Sequence, residues 1–406
     1  MRLASIIVPL LLFYFVNTEA SEDSQLKPTW GVAIPHNMNP HLELKVGARL
    51  QSVAEWNRLS DEGRGELNQF DFYLRRVRFE FESYFKKDWH YYMDIRNDNA
   101  DLEEKGSGQF EIGDAYLEKK NIFGLKGISF RGFRSKVKLS RSQTISSAKL
   151  LHLERAYISD SAADFVNEGR RATNFQMNGV LDYFSFQLVA GDGVHKSSFV
   201  DAKDNDLGSG EIIRQSPMLG AYMRLYPFEG WSDQSMTETY FGQGQHFSLG
   251  GGLFHTGSIE YTGTNFNNTK SIDRTLGNIE LSFHYKNFSF QGEFFHFEGV
   301  VEDFSASVQN KGSSNGLYWQ AEYYLSEENP FSLFGRYESW DRFKEESDYD
   351  QKSYLMGINW YYDRNHIRFS LAWQQDRFDQ NLRKELANGE DYNREERLKF
   401  TTMWNF

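Results

Sequence analysis

The last ten residues of the chain, RLKFTTMWNF from Arg397 to Phe406, change character at every step. Leu398, Phe400, Thr402, Trp404 and Phe406 fall on one face; Arg397, Lys399, Thr401, Met403 and Asn405 fall on the other. A period of two is that of an extended strand. With aromatics on one side and charges and hydroxyls on the other, it reads as a strand that is apolar outward and polar inward. Strands of that kind build a transmembrane β-barrel.

The pattern recurs along the chain. Leu42, Leu44, Val46, Ala48 and Leu50 alternate with Glu43, Lys45, Gly47, Arg49 and Gln51. Val77, Phe79 and Phe81 alternate with Arg76, Arg78, Glu80 and Glu82, and Trp89, Tyr91, Met93 and Ile95 with His90, Tyr92, Asp94 and Arg96. Similar segments follow at 219–226, 247–255, 279–285, 288–297, 317–324, 331–340, 354–361 and 367–375. Each has about nine to eleven residues, the length a tilted strand needs to cross a bilayer. Some connectors are tight, such as Lys286-Asn287 and Asp363-Arg364-Asn365; others are long and polar, such as 52–69, 97–109 and 376–396. Short turns on one rim and long loops on the other give a barrel its two ends. The expected fold is all-β, a closed transmembrane antiparallel barrel of about sixteen strands with long extracellular loops, spanning 42–406.

Composition agrees. Aromatic residues make up 16% of the chain, with 35 Phe, 22 Tyr and 9 Trp, which a barrel places on its lipid face and in two interfacial girdles. The 7 prolines are few, as ladder pairing requires. Mean hydropathy is -0.64, so helical membrane spans are not expected. The absence of cysteine excludes disulfides and thiolate metal sites. A net charge of -12 argues against nucleic acid as a partner. It does not set ion preference, because a pore responds to charges near its narrowest point.

The first residues form a short basic start, Met1-Arg2-Leu3, then the apolar run IIVPLLLFYFV from Ile6 to Val16, then Thr18-Glu19-Ala20. This is the layout of a secretory signal peptide over 1–20, leaving a short periplasmic segment over 21–41. The terminal Phe406 resembles the assembly signal of bacterial outer-membrane proteins, which implies the outer membrane as location and the barrel assembly machinery as a partner.

Two stretches carry a family resemblance. One is FDFYLRRVRFEFESYFKKDWHYYMDIRND, Phe70 to Asp98, with DAYL at Asp114 to Leu117. The other is GFRSKVKLSRSQTISSAKLLHLER, Gly132 to Arg155, in which Lys136 stands eighteen residues before Glu154-Arg155 with Ser146-Ser147 between. Together with GINWYY at Gly357 to Tyr362 they resemble the phosphate-selective porins O and P. The resemblance implies a sixteen-stranded homotrimer with an anion-binding constriction lined by arginine and lysine. By position, Arg75 and Arg76 match the family's arginine pair, Asp114 its acid and Lys136 its constriction lysine. Where the family often has proline and phenylalanine after that lysine, this chain has Val137, Lys138 and Leu139. The family's phosphate channels also carry a lysine-rich entrance, which an acidic chain is not expected to share. The implied solutes are therefore small anions, phosphate among them, rather than phosphate alone.

The residues have their own logic at the same places. Phe70, Phe72 and Leu74 are apolar at even positions, and Val77, Phe79 and Phe81 at odd ones. A β-bulge between Leu74 and Val77 would produce that phase change and turn both arginines inward. The alternative leaves Phe70 to Leu74 in a loop, with Arg75 snorkelling to head groups. Arg134, Lys136, Lys138 and Arg141 either line a loop folded into the lumen or sit on a solvated outer loop. Arginine and lysine suit an anion constriction because guanidinium and ammonium donors replace lost hydration, and several weak sites in a row let the ion leave.

No Gly-x-Ser-x-Gly, His-Glu-x-x-His or P-loop pattern occurs, and the 10 histidines lack metal-ligand spacing, so neither cofactor nor metal is expected. The expected function is a passive outer-membrane diffusion channel for small anions. A non-selective or cation-preferring porin, an outer-membrane hydrolase and a structural or adhesion barrel are the rival readings.

Overall fold

The structure is a computed structural model that describes residues 42–60, 66–98, 109–230, 236–263, 266–306, 308–385 and 391–406. The expected signal peptide and the segment 21–41 lie outside the described residues.

Seventeen strands form one sheet. Glu211–Arg214 and Met218–Leu225 follow each other along the same neighbouring strand and act as one interrupted strand, which leaves sixteen staves. They are β1 (Leu42–Ser60), β2 (Glu66–Phe85), β3 (Trp89–Asp98), β4 (Glu111–Lys120), β5 (Ile128–Lys136), β6 (Arg171–Val180), β7 (Phe184–Gly191) and β8 (Met218–Leu225). The second half comprises β9 (Gln245–Gly263), β10 (Phe266–Tyr285), β11 (Phe288–Val301), β12 (Lys311–Tyr324), β13 (Phe331–Asp341), β14 (Asp350–Asp363), β15 (Ile367–Phe378) and β16 (Arg394–Asn405). Each strand pairs antiparallel with the next, and β16 returns to β1 with Arg49 opposite Asn405 and Ser60 opposite Arg394. Phe406 and Ala48 exchange two backbone hydrogen bonds, of 2.8 and 2.9 Å, at the seam.

The sheet is inside-out relative to a water-soluble domain. Phe79, Tyr91, Phe175, Leu253, Ile279, Leu371 and Phe400 are exposed. Arg49, Arg78, Glu118, Gln187, Glu293 and Lys399, one residue out of phase within their strands, are buried. Period-two alternation thus sorts lipid-facing from interior residues.

The structure corrects three local expectations. Residues 52–60 and 66–69 are strand, not loop: Val53 to Ser60 pair with both β2 and β16, so the first hairpin projects well beyond the bilayer-length portion. A two-stranded ribbon, Lys384–Glu385 with Asp391–Tyr392, occupies part of the expected loop 376–396. Strands β4 to β7 were not read from alternation, because polar and small residues break it there, as in RATNFQMNGV of β6. Elsewhere the turn at Lys286-Asn287 joins β10 to β11 as expected, and β14 to β15 takes Arg364 to His366.

The connection between β5 and β6, residues 137–170, folds across the barrel. It contains α1 (Arg141–Thr144), whose first turn Ser140 caps by accepting from Gln143 N, and α2 (Tyr157–Val166). Its partners lie on strands all round the ring: Gln187 of β7 takes Lys138 N, Gln291 and Glu293 of β11 take Arg141 and Ser142 N, and Glu338 of β13 takes Tyr157 N. Arg336 of β13 donates to Glu154 O, Asn359 of β14 to Leu151 O, and Arg368 of β15 to Leu150 O. An enclosed loop must have its backbone groups satisfied, and inward-facing polar side chains do this. The Glu338 carboxylate also meets an otherwise orphaned N–H at the start of α2, where a negative charge is favoured.

Charge on the outer face is the sensitive test of this arrangement. Leu371→Arg, near the middle of β15, should destabilise the barrel by about 2–4 kcal/mol. Urea unfolding in a reconstituted bilayer measures it.

Candidate functional site

The inserted loop meets the arginine pair singled out in the sequence. In β2 the register passes from Arg76 opposite Gln51 to Leu74 opposite Ser52, so Arg75 is the extra residue of a β-bulge. The phase change in the sequence has that cause. The bulge lets neighbouring arginines converge on one acceptor, Glu154 of the inserted loop. Arg75 is bidentate, with Nε to Oε1 at 2.5 Å and Nη2 to Oε2 at 3.1 Å. Arg76 Nη2 reaches Oε2 at 3.0 Å, and its Nη1 donates to Gln51 Oε1 and Leu153 O. Two guanidinium charges therefore share one carboxylate. Burial alone would raise the Glu154 carboxyl, but Arg76 and Arg75 hold it well below the usual carboxylate range.

Ser147 explains the second half of the motif. Its hydroxyl accepts from Arg49 Nη1 at 2.9 Å and from Arg78 Nη1 at 3.3 Å. Arg49 also pairs with Glu80 at 2.8 Å, and Arg78 with Asp98. Arg155 turns back into the loop, donating to Ser142 O and Ile145 O, so it holds the fold of the insertion.

Lys136 ends β5 opposite Arg171, the first residue of β6. Arg171 Nε lies 3.0 Å from Asp114 Oδ2, which places the expected acid beside the expected lysine. The charges that act most on Lys136 are Arg171, Asp114, Arg170 and Arg155. Lys138 is half-buried; burial first, then Arg224 and Arg131, push its ammonium down to about 8. Arg134 is turned to a different purpose: its Nε donates to Gly113 O at 3.0 Å and its Nη1 is 4.0 Å from Glu168.

Among the described residues, Lys136, Lys138 and Arg170 have no ion pair of their own. The acids that act on the two lysines are engaged elsewhere: Asp114 by Arg171, Glu118 by Arg131 and Glu280 by Arg224. Arg170 Nη1 and Arg75 Nη1 are both buried without a hydrogen-bond partner. Open donors on enclosed cations are what an anion would use.

Beside this zone, α2, residues 197–204 and the ends of β11 to β13 enclose a cavity of about 310 Å³. Asp160, Asp164, Asp201 and Asp204 line it, with Tyr157 and Trp340 as aromatic wall. Arg342 pairs with Asp204 at 2.8 Å. Asp164 keeps an exposed edge, but the crowding of protein around it and the Asp160 carboxylate push its carboxyl up to about 7. Glu168, Asp192 and His195 each bring one ligand-type atom within 4.8 Å of the others, a grouping the sequence spacing did not suggest. Arg134 beside the same Glu168 competes with any cation there.

The model of the family described as phosphate-selective porin O and P matches residues 44–393. The chain belongs to this family. It is a porin of the bacterial outer membrane, and the closed barrel is the fold such porins use. Among solved structures it resembles an anion-selective porin from Comamonas acidovorans, at 9% identity over 90% of this chain and 100% of that one, with a TM-score of 0.58. The outer membrane channel DcaP of Acinetobacter baumannii gives 10% identity, 91% and 98% coverage and a TM-score of 0.59. Salmonella typhi OmpF, in complex with daunomycin, gives 11%, 92%, 100% and 0.57. At these identities the likeness is one of fold. No curated protein matches the chain.

The sequence did not reveal Glu154 as the counter-ion of the arginine pair, nor the second doublet, Arg170-Arg171, beside Lys136. The doublet itself was a signal, since it repeats the Arg75-Arg76 pattern. Glu154→Gln removes the carboxylate while keeping an acceptor, so the local charge of the three-residue group rises from +1 to +2. The reversal potential in a tenfold KCl gradient should then move towards the chloride equilibrium value.

Proposed function

We propose that this porin is a passive, anion-selective diffusion channel for phosphate and other small oxyanions. The observation that carries the reading is a set of basic side chains with spare capacity, Lys136 and Arg170 around Asp114 and Lys138 two residues further on, together with an arginine pair that shares a single carboxylate. A small oxyanion entering a narrow place loses hydration, and forked guanidinium donors replace it. The donors are distributed over several residues, so each binds weakly and the anion can pass on. The Oδ1 atom of Asp114 is buried without a hydrogen-bond partner. It can accept from the hydroxyl of a protonated phosphate while Oδ2 stays with Arg171. Transport then follows the solute gradient, with no covalent step, no cofactor and no enzymatic turnover.

The channel works as a homotrimer in outer-membrane lipid, delivered by a signal peptide and inserted by the barrel assembly machinery reading Phe406. A structure described as the trimer form of OmpT from Vibrio cholerae shares the fold at a TM-score of 0.51.

A cation-preferring porin is the second reading, favoured by the cavity with four aspartates. Planar-bilayer recording separates the two. Anion preference is expected for the wild type, with phosphate blocking chloride current. Lys136→Met with Arg170→Gln should weaken that block by about tenfold, the effect of losing roughly 1.4 kcal/mol. A cation preference in every buffer overturns the proposal.

The shifted Lys138 and Asp164 give a pH dependence of definite sign. Lys138 is charged below about 8 and Asp164 is neutral below about 7. Raising pH from about 6 to about 9 thus removes a positive charge and adds a negative one. Anion preference should fall across that window. Lys138→Met should abolish the upper step and Asp164→Asn the lower one.

A further inference from the structure

Two connections enter the barrel from opposite rims and meet. One is the loop 137–170. The other joins β8 to β9 on the rim where turns are otherwise short, as at Lys286-Asn287 and Arg364 to His366. Its second stretch, 236–244, reaches the inserted loop. Glu238 holds the loop twice: Oε2 accepts from Leu151 N at 2.6 Å, and Glu238 N donates to Lys149 O at 3.0 Å. One residue earlier, Thr237 O accepts from Arg141 Nη2 at 2.9 Å, and Tyr240 OH lies 2.7 Å from the same nitrogen. A cavity of about 10 Å³ is lined by Leu151, Thr237 and Glu238 together with the wall.

The place that is held matters. Ser147, which takes Arg49 and Arg78, lies four residues before Leu151; Glu154, which takes Arg75 and Arg76, lies three after it. The wall grips the intervening carbonyls, through Arg368 on Leu150 O and Asn359 on Leu151 O. Those bonds leave the Leu151 amide to Glu238. We infer that Glu238, delivered from the opposite rim, is a positioning residue that sets where the 147–154 stretch, and with it the Glu154 carboxylate, stands among the arginines. The inference rests on the proposed anion channel only for its effect on selection; the clasp itself does not.

The mechanism is steric and electrostatic. A carboxylate bonded to a buried amide makes a strong, charge-assisted contact, and deleting it orphans that amide. Freed at Leu151, the loop shifts its hold on Glu154, and the balance of two guanidinium charges against one carboxylate changes. Glu238 need not touch the solute.

The test uses the refolded full barrel carrying Glu238→Ala, Glu238→Gln, and Glu328→Ala as an exposed control. Deuterium exchange on peptides spanning 149–153 reads the clasp without reference to conduction. For Glu238→Ala, exchange at Leu151 is expected on the order of tenfold faster, and phosphate block of chloride current several-fold weaker. Glu238→Gln, which keeps an acceptor, should restore both most of the way, and the control should match wild type. The unfolding temperature, read by heat-modifiable gel mobility, should stay with wild type for all three. Wild-type exchange in Glu238→Ala overturns the clasp; faster exchange with unaltered block overturns its role in selection. A Glu238→Gln channel as altered as Glu238→Ala, yet with protected Leu151, shows that charge rather than position is at work and also overturns it. Should Glu238→Ala not fold, Glu238→Asp, one methylene short of Leu151 N, must give the faster exchange. A wild-type channel without conductance fails the channel reading, while the exchange result still decides the clasp.

Discussion

Hydrocarbon offers no partner to a peptide N–H or C=O, and an unpaired group there costs several kcal/mol. That penalty governs the architecture. It forces β16 back onto β1, so that residues 49–60 face 394–405 and the sheet has no edge within the membrane. The two backbone bonds between Phe406 and Ala48 complete the ladder at its last pair. Closure then dictates the distribution of side chains. A strand with lipid on one face and an enclosed space on the other must alternate, which leaves Leu371 and Phe400 outside and Glu293 and Lys399 inside.

Enclosing so many polar groups creates the second problem, that of unpaired charge. The inserted loop answers it residue by residue. Its Glu154 meets two arginines of the β2 bulge, its Ser147 bridges two more, and its carbonyls are taken by Arg336, Asn359 and Arg368. The neutralisation is incomplete by design of the contacts: one carboxylate stands between two guanidinium groups, and Lys136, Lys138 and Arg170 have no acid of their own among the described residues. A residual positive field in a place of restricted hydration is a stronger influence on a passing ion than the net charge of the chain.

How much of this the sequence discloses depends on the range of the interaction. Alternation is local, so the strands of the second half and the closing strand are legible from residue types alone. The bulge at Arg75 is legible too, because one extra residue moves Val77 and Phe79 to the other parity. Strands β4 to β7 are not. In β5 the alternation breaks at Gly132-Phe133, where Phe133 takes a φ of 83°, and in β6 short polar residues serve both faces. The first hairpin was under-read for a related reason: beyond the bilayer, β1 no longer needs an apolar outer face, so the signal fades while the ladder continues to Ser60. Ion-pair partners are the least legible of all. Arg75 and Glu154 are far apart in the chain and meet only because a loop crosses the barrel, and no periodicity records that. The family resemblance supplied the spacing from Lys136 to Glu154 without saying what the glutamate does.

Part of the chain's acidic charge gathers in one place. Asp160, Asp164, Asp201 and Asp204 gather in the cavity between α2 and residues 197–204, while the unspent cations lie at Lys136, Lys138 and Arg170. Asp160 and Asp164 are one helical turn apart on α2, so their repulsion is built into the helix and is relieved only by a proton or a nearby positive charge. Arg170, just beyond that helix, is attracted by Asp160 and repelled by Arg155 and Arg171. Acidic Asp160 and Asp164 and basic Lys138 and Arg170 are thus carried by one short insertion. In the proposed anion channel the solute would meet repulsion beside α2 and attraction beside β5 and β6, and the preference would be set by whichever of the two surrounds the narrowest point. Since the loop that carries α2 is the same loop that presents Glu154 to the arginines, its position controls both terms together.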